Sequence, residues 1–416
     1  MKSLVPSLLL WVSIPSSLGN LTNLVTLSLA SNEITGSIPS SLGNLTNLVT
    51  LSLDSNQING SIPSSLDNLT NLVTLSLASN EITGSIPSSL GNLTNLVTLS
   101  LASNKITGAI PSSFCNLTNL GTLSLDSNQI NGSIPSSLGN LTNLVTLSLH
   151  LNHINGSIPQ EIGNMNKLSE LYLYKNELIG LIPSSLGHLT NLLCLDLSSN
   201  KINGSIPLEI GHMKNLDQLY LNDNDIFGPI PLTIGNLTNL QTFSLDRNKI
   251  NGSIPGEIAD CFLLKTVTLS HNNLNGFIPQ SISHLYSLES LSLSWNQISG
   301  SILEEIIGCG ILKYLSLSHN YFNGSVPSKI GYLNLLNTID LSHNNITGEI
   351  PIELGSSMYL ELLDLSYNNF IGNIPNFSIS IIEMNFSYNS LHGMIPTGYL
   401  KFSPYTFIGN KDLCGF

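Results

Sequence analysis

The feature that most constrains this chain is an asparagine in fixed register. Asn32, Asn56, Asn80, Asn104, Asn128, Asn152, Asn176, Asn200, Asn224, Asn248, Asn272, Asn296, Asn320, Asn344 and Asn368 recur every 24 residues, and Asn389 follows after 21. Four residues beyond each lies a glycine, from Gly36 to Gly372 and then Gly393, and an Ile-Pro pair such as Ile38-Pro39 follows in nearly every unit. The stretch NLTNLVTLSLASNEITGSIPSSLGNLTNLVTLSL at 20–53 is spelled again, letter for letter, at 68–101. One such unit has a single apolar face and cannot bury it alone, so the copies must stack and share a continuous core.

The letters within a unit have separate physical uses. Leu27 and Leu29 alternate with Thr26, Ser28 and Ala30, the period of a strand with one buried face. Stacking then pairs these short strands in parallel. Asn32 closes the strand, and its amide can satisfy backbone donors and acceptors left open between coils. Gly36 suits a return with positive φ. Pro39 suits a position where no ladder N–H is required.

The form LxxLxxLxLxxNxLxGxIPxxLGxL, running over about residues 14 to 400, resembles the plant extracellular subclass of leucine-rich repeats found in receptor-like kinases and receptor-like proteins. The resemblance implies an α/β repeat solenoid: a leucine-rich-repeat horseshoe or superhelix with a parallel concave β-sheet and short helical or 3-10 convex segments. The expected organisation is a signal-peptide remnant at 1–13, a solenoid of about 16 full 24-residue repeats at 14–400, and a truncated C-terminal cap at 401–416. In residues 1–13, Lys2 precedes a short apolar stretch to Val12, but Pro6 interrupts it and no A-x-A-like cleavage site follows. It reads as a secretory signal or as an accidental start. Ile14-Pro15 enters a repeat midway, without the Cys-containing cap usual in the family. The ending FIGNKDLCGF resembles the family's C-terminal cap, whose second cysteine would follow Cys414. These ends read as those of a fragment, an incomplete gene model or a degraded paralogue.

Charge excludes some functions. Only 9% of residues are charged, the net charge is −13, and Arg247 is the one arginine. Nucleic-acid binding needs clustered Lys and Arg against phosphates, and they are missing. No run of about 18 apolar residues is present to span a membrane. No phosphate-binding loop, HExxH or nucleophile-elbow pattern occurs, and no enzymatic activity, cofactor or metal is expected.

The chemically capable residues have bland alternatives. Cys261 and Cys309 occupy the slot of Leu45, so they read as small buried hydrophobes, roughly 10 Å apart and beyond disulfide reach. Cys115 replaces the Gly43-type residue on the convex side, and Cys194 faces the concave sheet with no evident base. His271, Trp295, His319, His343 and Tyr367 share the slot before the marker asparagine and form a column. His319 and His343, about 5 Å apart by strand spacing, make a metal site thinkable, though a structural or solvent-facing use is favoured because LSHN and LSYN are ordinary spellings in the family. Asp340 and Asp364 also share a column, at about the carboxylate separation of a retaining glycosidase, but an open sheet should offer no water-excluding pocket.

Sixteen N-x-[ST] sequons are present. The candidate glycosylation sites are Asn59, Asn131, Asn155, Asn203, Asn251, Asn323, Asn345 and Asn376. Equivalent sites in adjacent coils stand about 5 Å apart, too close for all to carry glycans. Those that do would supply the solubility that charge does not.

Recognition should sit at exposed strand positions, because the leucines are committed to the core. In the first five units those positions hold small residues, mostly Thr, Ser and Ala. Spelling then breaks. The candidate ligand-binding residues are His150, Tyr172, Tyr174, Lys175, Asp196, Gln218, Tyr220, Asn222, Asp223, Asp246 and Arg247, a mixture of aromatics and both charges expected of interface anchors. Drift on a solvated sheet is the competing reading.

The resemblance implies an extracellular or cell-surface module that binds a peptide or protein ligand in signalling or defence. It also implies a co-receptor docking near residues 290–400. The family's paired arginines for a peptide carboxylate are absent, since only Arg247 is available. Two alternatives remain: an apoplastic inhibitor of pathogen or wall enzymes similar to polygalacturonase-inhibiting proteins, which are shorter and capped by disulfides, and an inert or ice-interacting repeat with a flat Ser/Thr face.

Overall fold

The computed structural model describes residues 3–4, 13–377 and 381–415. The expected signal remnant therefore lies almost wholly outside the described residues. The chain divides into two compact units, residues 1–203 and 204–416, and each is a stack of parallel coils.

In the first unit the strands Thr26–Ser28, Thr50–Ser52, Thr74–Ser76, Thr98–Ser100, Thr122–Ser124, Thr146–Ser148, Glu170–Tyr172 and Cys194–Asp196 pair in parallel, each with the next. The register is strict: Leu27 opposes Leu51, and Leu51 opposes Leu75. In the second unit Gln218–Tyr220, Thr242–Ser244, Thr266–Thr268, Ser290–Ser292, Tyr314–Ser316, Thr338–Asp340, Leu362–Asp364 and Glu383–Asn385 do the same. The middle residue of each strand points into the core. One coil buries Ile38, Leu42, Leu45, Leu48, Leu51, Leu53 and Ile58, none more than 4% exposed. Burying a leucine is worth about 1.5–3 kcal/mol, and only stacking makes that burial available.

The marker asparagine works as expected. Asn320 Nδ2 donates to the carbonyls of Leu317 (3.1 Å) and Ser318 (3.0 Å) in its own coil and of Leu293 (2.9 Å) in the preceding one. Its Oδ1 accepts from the Ile298 N–H at 2.9 Å. The residue just before each marker brings a finding that the strand reading missed. From Ser31 to Tyr388 that residue is left-handed, with φ between 51° and 58°. This slot lies past the strand's end, and its turn swings the asparagine inward. Only glycine adopts such a turn freely, so each non-glycine residue there carries strain.

Gly36 has φ of 75°, as the tight return requires. Pro39, at φ −67°, then leads into the 3-10 segment Ser40–Asn44. A second, unanticipated parallel ladder runs through these returns. Gln129–Ser133 pairs with His153–Ser157, which pairs with Glu177–Gly180. In the second unit Lys249–Ser253 pairs with Asn273–Asn275. The signal was present in QIN, where buried Ile130 lies between exposed Gln129 and Asn131. The ladder begins where Thr107–Gly108 pairs with Gln129–Ser133, and earlier coils make only isolated bridges there, such as Ser37 to Asn59. Among the described residues no helix is long and apolar enough to cross a membrane.

Candidate functional site

In the first unit the spelling break at His150 builds a side-chain network. The ring Nδ1 lies 2.9 Å from Ser148 Oγ, and Nε2 lies 3.6 Å from Asp126 Oδ2. Ser148 is only 7% exposed, so this chain of contacts fixes the imidazole rather than presenting a nucleophile. Tyr174 stacks on His150 with centroids 4.2 Å apart, and Tyr172 meets the same ring edge-on at 6.1 Å. Asp196 accepts from the Ser198 N–H at 2.9 Å and hydroxyl at 2.6 Å.

Burial sets the electrostatics of this patch. It lowers the His150 pKa, against the carboxylates of Asp126 and Asp196, which pull the other way. It raises the Asp196 carboxyl above its ordinary range. It also raises the phenols of Tyr172 and Tyr174, with Cys194 adding to the effect on Tyr172. The result is a neutral, hydrogen-bonding aromatic patch beside carboxylates. His150, Tyr172, Tyr174 and Asp196 are thus brought together. Lys175 is exposed in the left-handed slot and makes no ion pair among the described residues.

In the second unit the remaining expected residues are contiguous. Tyr220 Oη donates to Gln218 Oε1 at 3.4 Å, and Asn222 Nδ2 donates to Asp223 Oδ2 at 2.8 Å. Ser244 Oγ lies within reach of both Asn222 Oδ1 (3.2 Å) and Asp246 Oδ2 (3.4 Å). Arg247 Nη1 donates to Asp223 Oδ1 at 3.3 Å with the guanidinium side chain 68% exposed. A surface pair of this kind contributes at most about 1 kcal/mol, which leaves the guanidinium free to exchange partners.

The left-handed slot then becomes aromatic. His271, Trp295, His319, His343, Tyr367 and Tyr388 stack in sequence, with centroid separations of 5.4, 3.6, 4.1, 4.2 and 4.3 Å. The column read from the sequence ended at Tyr367; Tyr388, just before the last marker Asn389, extends it. The thinkable metal site between His319 and His343 is a ring stack, with planes 22° apart. Nearly parallel imidazoles point their in-plane lone pairs alongside each other rather than at one ion. No group of three or more metal-ligating side chains occurs among the described residues.

Other sequence readings can be placed. Cys261 and Cys309 are fully buried, donate to the Ile234 (3.1 Å) and Ile282 (3.3 Å) carbonyls, and have thiols pushed up to about 12 by burial. All eight candidate glycosylation asparagines, Asn59, Asn131, Asn155, Asn203, Asn251, Asn323, Asn345 and Asn376, are exposed. Asp340 and Asp364 oppose each other on paired strands, as their column predicts. Beside them the sheet carries an open recess of about 640 Å³, to which the C-terminal residues Tyr405, Thr406 and Ile408 add a wall.

Comparison with known families gives leucine-rich repeat models over most of the chain. A leucine-rich repeat region matches 75–171, a leucine-rich repeat model matches 166–226 and 238–298, and a single-repeat model matches 23–45, 47–69, 312–333, 335–357 and 359–378. No curated protein matches the chain in sequence. Among solved structures, a plant peptide hormone receptor, RGFR1 in complex with RGF2, is 34% identical with a TM-score of 0.78, covering 93% of this chain and 70% of that one. The Arabidopsis receptor kinase HAESA, in complex with the peptide hormone IDA and the co-receptor SERK1, is 34% identical with a TM-score of 0.76, covering 97% and 76%. The ectodomain of the Arabidopsis thaliana membrane receptor kinase GASSHO1/SCHENGEN3, in complex with CASPARIAN STRIP INTEGRITY FACTOR 2, is 33% identical with a TM-score of 0.74, and this chain spans 55% of its length.

Proposed function

The chain belongs to the leucine-rich-repeat family, in the plant type typified by receptor-kinase ectodomains, and on that footing we propose that it is an extracellular recognition module for a peptide or protein ligand. One observation carries the reading. Side chains that the fold does not need are gathered on the outward strand positions and the turns just after them: His150, Tyr172, Tyr174 and Asp196 in the first unit, and Gln218, Tyr220, Asn222, Asp223, Asp246 and Arg247 in the second. Coil stacking accounts for leucine, asparagine and glycine, but it has no use for a tyrosine packed on a desolvated imidazole. Aromatics with one polar end and an exposed guanidinium are the residue types that dominate binding energy at interfaces.

Support also comes from two of the named relatives, a peptide hormone receptor solved in complex with RGF2 and HAESA solved with the peptide hormone IDA and the co-receptor SERK1. Tyr332, Met358 and Tyr359, inside the expected 290–400 region, are 70%, 82% and 56% exposed, side chains that suit a co-receptor contact. A role in signalling or defence and glycosylation at the exposed sequons fit the same reading.

The test is selection of a short-peptide display library on the full chain. Selected peptides are then measured by calorimetry against Tyr172→Ala, Tyr174→Ala, Tyr220→Ala and Arg247→Ala. At least one substitution should weaken binding about tenfold or more. Failure to select any peptide, or binding indifferent to all four changes, would sink the reading.

A further inference from the structure

We propose that the cavity beside Asp340 and Asp364 in the second unit is an acceptor pocket for an arginine side chain presented by the polypeptide ligand; this rests on the reading that the outward strand face binds such a ligand. The cavity measures about 640 Å³ and is lined by Asp340, Asp364 and Glu383 together with Tyr367, Tyr388 and Tyr405. Its size falls within the roughly 300–1,000 Å³ of ligand pockets. Asp340 and Asp364 are direct partners on adjacent parallel strands, about 4.8 Å apart, and Glu383 opposes Leu362 on the next strand.

These carboxylates are positioned but not neutralised. Asp340 Oδ1 accepts from the Ser342 N–H at 3.0 Å and hydroxyl at 2.7 Å, and Oδ2 lies 3.4 Å from Ser316 Oγ. Asp364 accepts from the Ser366 N–H at 2.9 Å and from Asn385 Nδ2 at 3.3 Å. Every one of these donors is neutral. No lysine or arginine lines the cavity, and none of the three acids forms an ion pair among the described residues. Elsewhere in the same unit, acids such as Asp225, Glu289 and Glu304 do have lysine partners, Lys249, Lys313 and Lys329. The pocket therefore concentrates negative potential in a recess, and its complement is a cation from outside.

The aromatic part selects among cations. Tyr367 and Tyr388 stack on each other 4.3 Å apart and end the ladder at the cavity, while Tyr405, 76% exposed, forms part of the opposite lining. A guanidinium is flat, packs against aromatic rings, and spreads its donors widely enough to bridge two carboxylates one strand apart. An ammonium is a compact, strongly hydrated point charge that would satisfy one carboxylate at a time. The geometry favours arginine over lysine, and both over a neutral isostere.

The probe is the tripeptide Ac-Ala-Arg-Ala-NH2, compared with its lysine and citrulline counterparts by calorimetry on the full chain. The arginine peptide should bind at least about tenfold more tightly than the citrulline peptide, with lysine between them, and rising salt should weaken it. Asp340→Asn and Asp364→Asn keep size and shape and should each reduce arginine binding severalfold. Tyr405→Ala, on the exposed rim, should also weaken it, and Leu181→Ala, at an exposed first-unit position outside the candidate site, should not. Equal affinity for arginine and citrulline, no measurable arginine binding, or indifference to both Asn substitutions overturns the pocket. Its failure is separable from that of the wider reading. Display-selected peptides that bind while the tripeptide does not would leave the face standing and the pocket refuted. Tripeptide binding with no selected peptide would do the reverse.

Discussion

Trp295 and His319 lie face to face, their ring centroids 3.6 Å apart and their planes within 12°. Burial holds the His319 pKa below its ordinary value, with His343 and His271 pushing the same way and Asp340 and Asp364 opposing. Protonation would set a cation against the indole, and an imidazolium is the stronger quencher of indole emission. Trp295 fluorescence, read with Trp11 replaced by Phe, should therefore fall as the solution is acidified, with a midpoint below about pH 6.5. His319→Gln should remove the transition. An unchanged profile in that variant would show that the stack does not report on His319.

His150 predicts a pH-dependent stability in the first unit. Its folded-state pKa is depressed by burial, so the unfolded chain takes up the proton first as pH falls. The stabilisation is complete above about pH 6.5 and is lost as pH drops through the folded value. Asp196 has the opposite sign. Its pKa is raised, so its burial penalty eases as pH falls through the carboxylate range. Amide exchange in Thr146–Ser148, corrected for intrinsic rates, should show weaker protection at pH 5.5 than at pH 7.5, and His150→Gln should narrow the difference. Equal protection at both values in the native chain would contradict the assignment.

The cysteines should divide by reactivity. Cys261 and Cys309 combine full burial with thiols pushed up to about 12, so almost no thiolate forms at neutral pH. Cys414 is exposed. An aromatic disulfide reagent should label Cys414 in the native protein and reach Cys261 and Cys309 only after denaturant is added. Peptide mapping of the labelled chain distinguishes them. Native-state labelling of either buried cysteine would mean that the coils around it open more readily than their packing implies.

The frame was legible because each of its letters repeats. Leu51, Asn56, Gly60 and Pro63 recur in register, and each has a single physical use that the structure bears out. The column from His271 to Tyr367 was legible for the same reason. What could not be read was geometry that depends on a neighbour's rotamer. The stack of Tyr174 on His150 needs two residues 24 apart to turn toward each other, and no pattern in the letters specifies that. The left-handed turn at Trp295 was hidden because its slot accepts serine, histidine, tyrosine or arginine alike, with no glycine to mark it. The cavity beside Asp340 and Asp364 escaped because one wall comes from Tyr405, outside the repeat pattern.

The asparagine ladder offers the sharpest test of what holds the coils together. Asn320 satisfies three backbone carbonyls and one N–H, drawn from its own coil and the one before, and it is 6% exposed. Alanine would leave these groups buried with no partner, and each unpaired group costs about 1–3 kcal/mol before water or relaxation recovers part of it. A net loss of about 3–5 kcal/mol is expected for Asn320→Ala. Asn32, in the first coils, is the internal control. It is exposed, and among the described residues its side chain donates to Leu29 and Ala30 of its own coil, at 3.0 Å each, so Asn32→Ala should cost about 1 kcal/mol or less. Because each coil rests only on its neighbours, Asn320→Ala, with coils on both sides, should also split urea unfolding into two transitions, while Asn32→Ala should leave its shape unchanged. Circular dichroism and Trp295 emission, followed in the same titration, separate the two cases. Equal destabilisation at both positions would mean that inter-coil hydrogen bonds contribute little and that leucine packing alone sets the stability of the stack.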